Sequence, residues 1–146
     1  MLYNGWASFL ASFGFGILFH VKGTRLISAS FIGGTGGMTY VVMLKLGYST
    51  PLALFIASIV ISLLSEMFAR FHKCPVTMFL VCALIPLVPG GGMYYTMLEV
   101  VKNNLDLAIF KGIHTLIEAC SIVIGCLTVT SCFHVFRQMK KEVIKR

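Results

Sequence analysis

His114 and Glu118 lie four residues apart in an apolar stretch, a spacing that sets both on one helix face. Ionisable groups are costly inside lipid and are functional candidates there, and an apolar setting favours the neutral, protonated carboxyl. Glu118 is therefore the leading functional candidate, a carboxyl able to hold a proton, which would make it the proton carrier in a proton-coupled protein, with His114 placed to share that proton; a pair at the water interface is the competing reading. Glu66 offers a second carboxylate, four residues after Ser62 and four before Arg70. It either joins Ser58, Ser62 and Ser65 on a polar helix face and handles protons, or neutralises Arg70. A different chemistry attaches to PLVPGGG at residues 86–92. Pro86 and Pro89 remove amide hydrogens, and Gly90, Gly91 and Gly92 each cost a helix interior about 1 kcal/mol against alanine, so a helix breaks here. Freed carbonyls suit cations, while the N-terminal end of the following half-helix suits an anion such as a substrate carboxylate, with Tyr94, Tyr95 and Thr96 beside it to hydrogen-bond. A proline kink that serves packing alone is the plain alternative.

The elements that must hold these residues are membrane spans. Hydrophobic residues make up 58% of the 146, charged residues only 12%, and the mean hydropathy is +0.90. Soluble domains carry about 25% charged residues. At roughly 20 apolar residues per span, five helices fill the chain as one membrane domain, at about 2–21, 26–44, 51–69, 76–98 and 113–136, followed by a basic tail at 137–146. No basic residue precedes the first apolar run and no small-residue cleavage site is evident, so it is expected to be a retained span rather than a signal peptide. Its Tyr3 and Trp6 suit the interface, and Ser8, Ala11, Ser12 and Gly16 form a small-residue stripe.

The second span contains GGTGG at residues 33–37. Ala29, Gly33 and Gly37 on one face, with Ser30 and Gly34 beside them, predict close packing against a neighbour. The other reading unwinds the helix here, so that exposed backbone with Thr35 and Thr39 lines a cavity. A phosphate cradle is the weakest option, since no strand precedes the glycines and no Lys-Ser/Thr pair follows. Pro51 opens the third span and Pro75 the fourth, positions where the missing amide hydrogen costs nothing. The polar residues from Glu99 to Lys111 read as a loop that begins as a helical extension.

The net charge of +7 follows from loops and tail rather than from a nucleic-acid surface, and nucleic acid is not expected as a partner. With the tail cytoplasmic, that side holds Lys22, Arg25, Arg70, Lys73, Arg137, Lys140, Lys141, Lys145 and Arg146, against Lys45, Lys102 and Lys111 opposite. Positive-inside bias then sets the N-terminus outside and the C-terminus in the cytoplasm. The fourth span enters from the cytoplasmic side, so about ten residues bring Pro86 ~15 Å in, near the midplane. Arg25 either meets a substrate carboxylate or serves only to set topology. None of the five cysteines (74, 82, 120, 126 and 132) forms a C-x-x-C pair, and neither G-x-S-x-G nor H-E-x-x-H occurs. No metal, cofactor or enzymatic activity is expected.

The segments SFGFGILFHVKGTRL at 12–26, GGTGGMTY at 33–40, EMFARFHKCPVT at 66–77 and IPLVPGGGMYYTM at 85–97 resemble the small-subunit type of the threonine/serine exporter family, over nearly the whole chain. The resemblance implies a multi-pass subunit of the bacterial plasma membrane. It would export small carboxylate-bearing metabolites, threonine and serine or a dicarboxylate such as succinate, by proton antiport. It also implies a larger exporter-type membrane subunit that supplies the other half of the site, while further copies of the chain stay open as partners. Where the family has phenylalanine-asparagine near the end of the first span, this chain has Phe19 and His20. A scaffold or channel-forming subunit without coupled flux is the competing class.

Overall fold

A computed structural model describes the backbone from Leu2 to Lys145 and the side chains from Gly5 to Val135. The described residues form six α-helices and no strand: α1 (Leu2–Leu18), α2 (Thr24–Lys45), α3 (Thr50–His72), α4 (Val76–Leu84), α5 (Gly90–Val101) and α6 (Leu105–Lys145), with a 3-10 turn at Ile85–Leu87 between α4 and α5. Pro51 sits in the first turn of α3, and Pro75 is the residue from which α4 starts. α2 lies at the centre, packed on α1, α3 and α4, while α6 covers α3 and folds back along α5. Phe79, Ile32 and Ile61 are fully buried where α2, α3 and α4 meet.

α2, α3 and the Leu105–Val135 part of α6 are each long and apolar enough to cross a membrane, and the bent α4–α5 pair makes a fourth candidate. α1, at 17 residues, is shorter. One end of the bundle is basic. Ser28 near the start of α2 hydrogen-bonds His72 at the end of α3 (3.1 Å), and Arg70 lies over the Phe133 ring late in α6 (4.7 Å), which brings Lys22, Arg25, Arg70 and Lys73 to that end. The tail side chains Arg137, Lys140, Lys141, Lys145 and Arg146, like Tyr3, lie outside the described residues.

Of the two readings of GGTGG the packed one holds, and the bounds of the last helix are corrected. α2 is helical without interruption through the GGTGG run, so the unwound reading fails. Its glycines are filled notches: a Cβ on Gly33 would fall 2.7 Å from Ser12 Cβ and 3.4 Å from Ala83 Cα, and one on Gly36 would collide with the Ile61 side chain. Helix α6 begins at Leu105 rather than near residue 113, because residues 105–112 pack on α5 instead of forming a loop. α6 also runs on through Lys145, so the basic tail continues the helix.

α1 ends with His20 in the left-handed region, φ 56°, with its amide donating to the Ile17 carbonyl and the Val21 amide to that of Gly16, both at 2.9 Å. Such caps take glycine or asparagine most readily, and histidine carries the steric cost of the left-handed conformation here. His20→Gly is expected to stabilise the protein by about 0.5–1 kcal/mol, read as a higher unfolding temperature in detergent.

Candidate functional site

Pro86 cannot donate to the Cys82 carbonyl and Pro89 cannot donate to that of Ile85, so α4 stops at Leu84. The chain tightens into the 3-10 turn, where the Val88 amide takes the Ile85 carbonyl (3.2 Å), then restarts as α5 with the Gly90 amide on the Val88 carbonyl (2.7 Å). The two axes meet at 49°, which deflects the chain without reversing it. α4 and the turn rise about 20 Å from the basic end. Pro86, early in that turn, is about 16 Å along this rise, close to the ~15 Å given by counting from Val76.

The turn is one wall of a cavity of about 340 Å³ lined by Pro86, Leu87, Val88 and Pro89, by Ala7 and Ser8 of α1, by Gly37, Tyr40 and Val41 of α2, by Thr50 and Leu54 of α3, and by Glu118 of α6. On the other side of the break a second cavity, about 480 Å³, is lined by Gly92 and Tyr95 of α5 and by Phe110, Lys111, His114, Thr115 and Glu118 of α6. Glu118 lines both. Its carboxylate approaches His114 Nδ1 at 3.2 Å, and the Glu118 side chain is 14% exposed against 54% for His114. Because α6 starts at Leu105, Glu118 stands about 20 Å along the helix from that end and about 22 Å from Phe133 at the basic end. It is at mid-depth. In a span that began near residue 113, it would lie only one to two turns from the start.

Gly90 and Gly91 open α5 with nothing within 4 Å of where their Cβ atoms would be, whereas a Cβ on Gly92 would press on Thr115. The Gly90 amide is taken by the Val88 carbonyl, but the next first-turn amides, those of Gly91 and Gly92, have no partner within their helix and present donors beside the break. Tyr95 lines the second cavity; Tyr94 packs edge-on against it (5.4 Å) and is largely exposed, away from both cavities. Thr35 lines an apolar groove between α1 and α2, and Thr39 is not among the residues around either cavity. Both hydroxyls donate to carbonyls of their own helix, Thr35 to Ile32 and Thr39 to Thr35, each at 2.8 Å. Arg25 is exposed on the first turn of α2, about 22 Å along the helix from Tyr40. Glu66 lies at the basic end, 3.6 Å from Arg70. The break residues, Tyr95, His114 and Glu118 are therefore gathered together, and Arg25, Thr35, Thr39 and Glu66 are elsewhere.

Several site residues escape sequence reasoning. Tyr40, Ser8 and Thr50 reach the first cavity from three different helices, and nothing in their local sequence marks them. Lys111 and Glu99, read as loop residues, form an ion pair of 2.8 Å that ties α5 to α6, with Asn104 adding a long contact to the same carboxylate and Lys111 lying 5.7 Å over the Tyr95 ring. Their opposite charges, set twelve residues apart across a short turn, were the available signal. Lys111→Met is expected to loosen the hairpin, seen as faster amide exchange in α5 with α2 and α3 unchanged.

An apolar helix broken deep in a bundle, with a carboxylate on the cavity that the break opens, defines a membrane-integral transport protein. A model of the family described as "Threonine/Serine exporter, ThrE" matches residues 4–132, and the chain belongs to the threonine/serine exporter family. No solved structure matches the chain.

Proposed function

We propose that the chain is a five-span subunit of a proton-coupled exporter of small carboxylate-bearing metabolites, working with a larger membrane subunit. The observation that carries this is Glu118 lining the cavities on both sides of the α4–α5 break. In this reading the substrate carboxylate meets the first-turn amides of Gly91 and Gly92 beside the bare Gly90 backbone, Pro86 and Pro89 hold the break open, and Glu118, assisted by His114, carries the proton. An ionised Glu118 repels a second carboxylate and attracts an ammonium, which favours threonine and serine over succinate. Following the 49° bend, α4, the 3-10 turn and α5 together rise about 31 Å, enough to count the pair as one broken span. With α1 as a short span the total is five. The basic end then faces the cytoplasm of a bacterial cell, and the N-terminus lies outside. Arg25 serves topology in this arrangement.

Reconstitution of the chain alone and with its larger partner, assayed for threonine, serine and succinate efflux against a pH gradient, tests the reading. Gradient-driven efflux that needs both subunits supports it; no flux, or flux indifferent to pH, favours a scaffold or a channel. Two five-span halves fused in one chain would have opposite orientations, so the partner's spans are expected to run the other way. Tag-accessibility mapping that found both subunits oriented alike would refute that arrangement.

A further inference from the structure

Ser30, Ser58, Thr96 and Thr115 donate their hydroxyls to carbonyls of their own helices. Ser62 and Ser65 of α3 do not: both are buried, and neither Oγ has a hydrogen-bond partner beyond the weak thiol of Cys126 beside Ser62. Glu66 Oε2 is buried and has no hydrogen bond either, its partner being the Arg70 guanidinium at 3.6 Å. Positions 62, 65 and 66 are neighbours on one helix face, within reach of single bridging waters. A buried polar group without a strong hydrogen bond is costly, and three adjoining ones signal a common ligand. Across the α3–α6 interface the Cys126 thiol faces Ser62, a weak partner at best. Glu66 also lines a cavity of about 250 Å³ at the basic end, with Arg70, Lys73, Cys74, Pro75 and Val76. That volume holds several waters at about 30 Å³ each.

We propose that Ser62, Ser65 and Glu66 form a hydrated site, open at the basic end, in which a short water file delivers protons to Glu66 and takes them away. A proton bound at Glu66 passes to a water oxygen and is handed from water to water to the solvent at the basic end, and the carboxylate is left ionised beside Arg70; the reverse step restores the acid. The charges around the site favour water over a metal cation, since Arg70 lies 3.6 Å from Glu66 Oε2 and Lys73 lines the same cavity. Among the described residues, the titratable groups that face it from other elements are two thiols, Cys126 of α6 and Cys74 of the loop before α4. The site lies about 18 Å along α3 from Leu54 in the cavity beside the break, so under the proton-coupled reading it is the cytoplasmic end of the proton route.

The test is infrared difference spectroscopy of the full-length protein, with its partner subunit, in lipid nanodiscs. A carboxyl C=O band that varies with pH, shifts promptly in D2O and vanishes in Glu66→Gln while persisting in Glu118→Gln is the expected result. Ser62→Ala and Ser65→Ala should each slow its deuterium exchange by about tenfold, the effect of losing one hydrogen bond in the file. Absence of any band that depends on Glu66, a band that never exchanges, or a band displaced by sodium instead of by protons overturns the proposal. Glu66→Asp, which keeps the acid, should retain a shifted band and so separates loss of the site from loss of the fold. Should the band behave as expected while efflux ignores the pH gradient, proton-coupled export fails and the hydrated site stands. If gradient-driven efflux holds without the band, the reverse follows.

Discussion

Glu118→Gln is expected to lower proton-driven efflux by about 100-fold or more, the scale on which a positioned acid-base group acts, and to flatten what pH dependence remains. Glutamine keeps the size and most of the hydrogen-bonding capacity of the side chain but carries no exchangeable charge, so the bundle should fold normally. Substrate exchange, which moves no net proton, should survive within a few-fold and show that the site still binds. The selectivity against succinate should also relax, because the charge that repels a second carboxylate is gone. His114→Ala should cost far less. His114 is half exposed, and an exposed pair contributes only about 0–1 kcal/mol, so no more than about a fivefold loss is expected. Efflux at the wild-type rate with its pH dependence intact in Glu118→Gln would remove Glu118 from the mechanism.

Adding side chains at two glycines should separate packing from transport. Gly33→Val drives a branched side chain into Ser12 of α1 and towards the Ala83 backbone of α4. Neither neighbour has a flexible end that can swing clear, so three helices must part, at about 3 kcal/mol, the upper end for overpacking. The measurement is thermal unfolding in detergent, with loss of folded protein on expression as the coarser readout. Gly91→Ala meets open space, and its stability should stay within about 0.5 kcal/mol of the parent. If the α5 amides receive the substrate, however, the added methyl stands where the ligand approaches, and the Km for efflux should rise with little change in unfolding temperature. Equal effects on stability at the two positions would contradict the packing read at Gly33, and an unchanged Km in Gly91→Ala would argue against substrate contact at the break.

These contrasts mark how far the residues alone carry the site. Pro86 and Pro89 with three glycines compel a helix break through local backbone chemistry, a missing donor and a steric clash, and no tertiary partner is needed to create it. The 58% apolar composition likewise demands membrane helices, and the spacing of His114 and Glu118 sets them on one face. GGTGG was different: small residues permit either a tight helix contact or an unwound strand of backbone. Ser12, Ala83 and Ile61, distant in sequence, occupy the notches and hold α2 helical. Glu118 had its helix face determined locally but not its depth, because the Glu99–Lys111 pair and the packing of α5 on α6 extend that helix back to Leu105. Nor could the sequence bring Ser8, Tyr40 and Thr50 to the PLVPGGG wall. A break is a property of a few consecutive residues; the cavity it opens on is made by helices that meet only when the bundle packs.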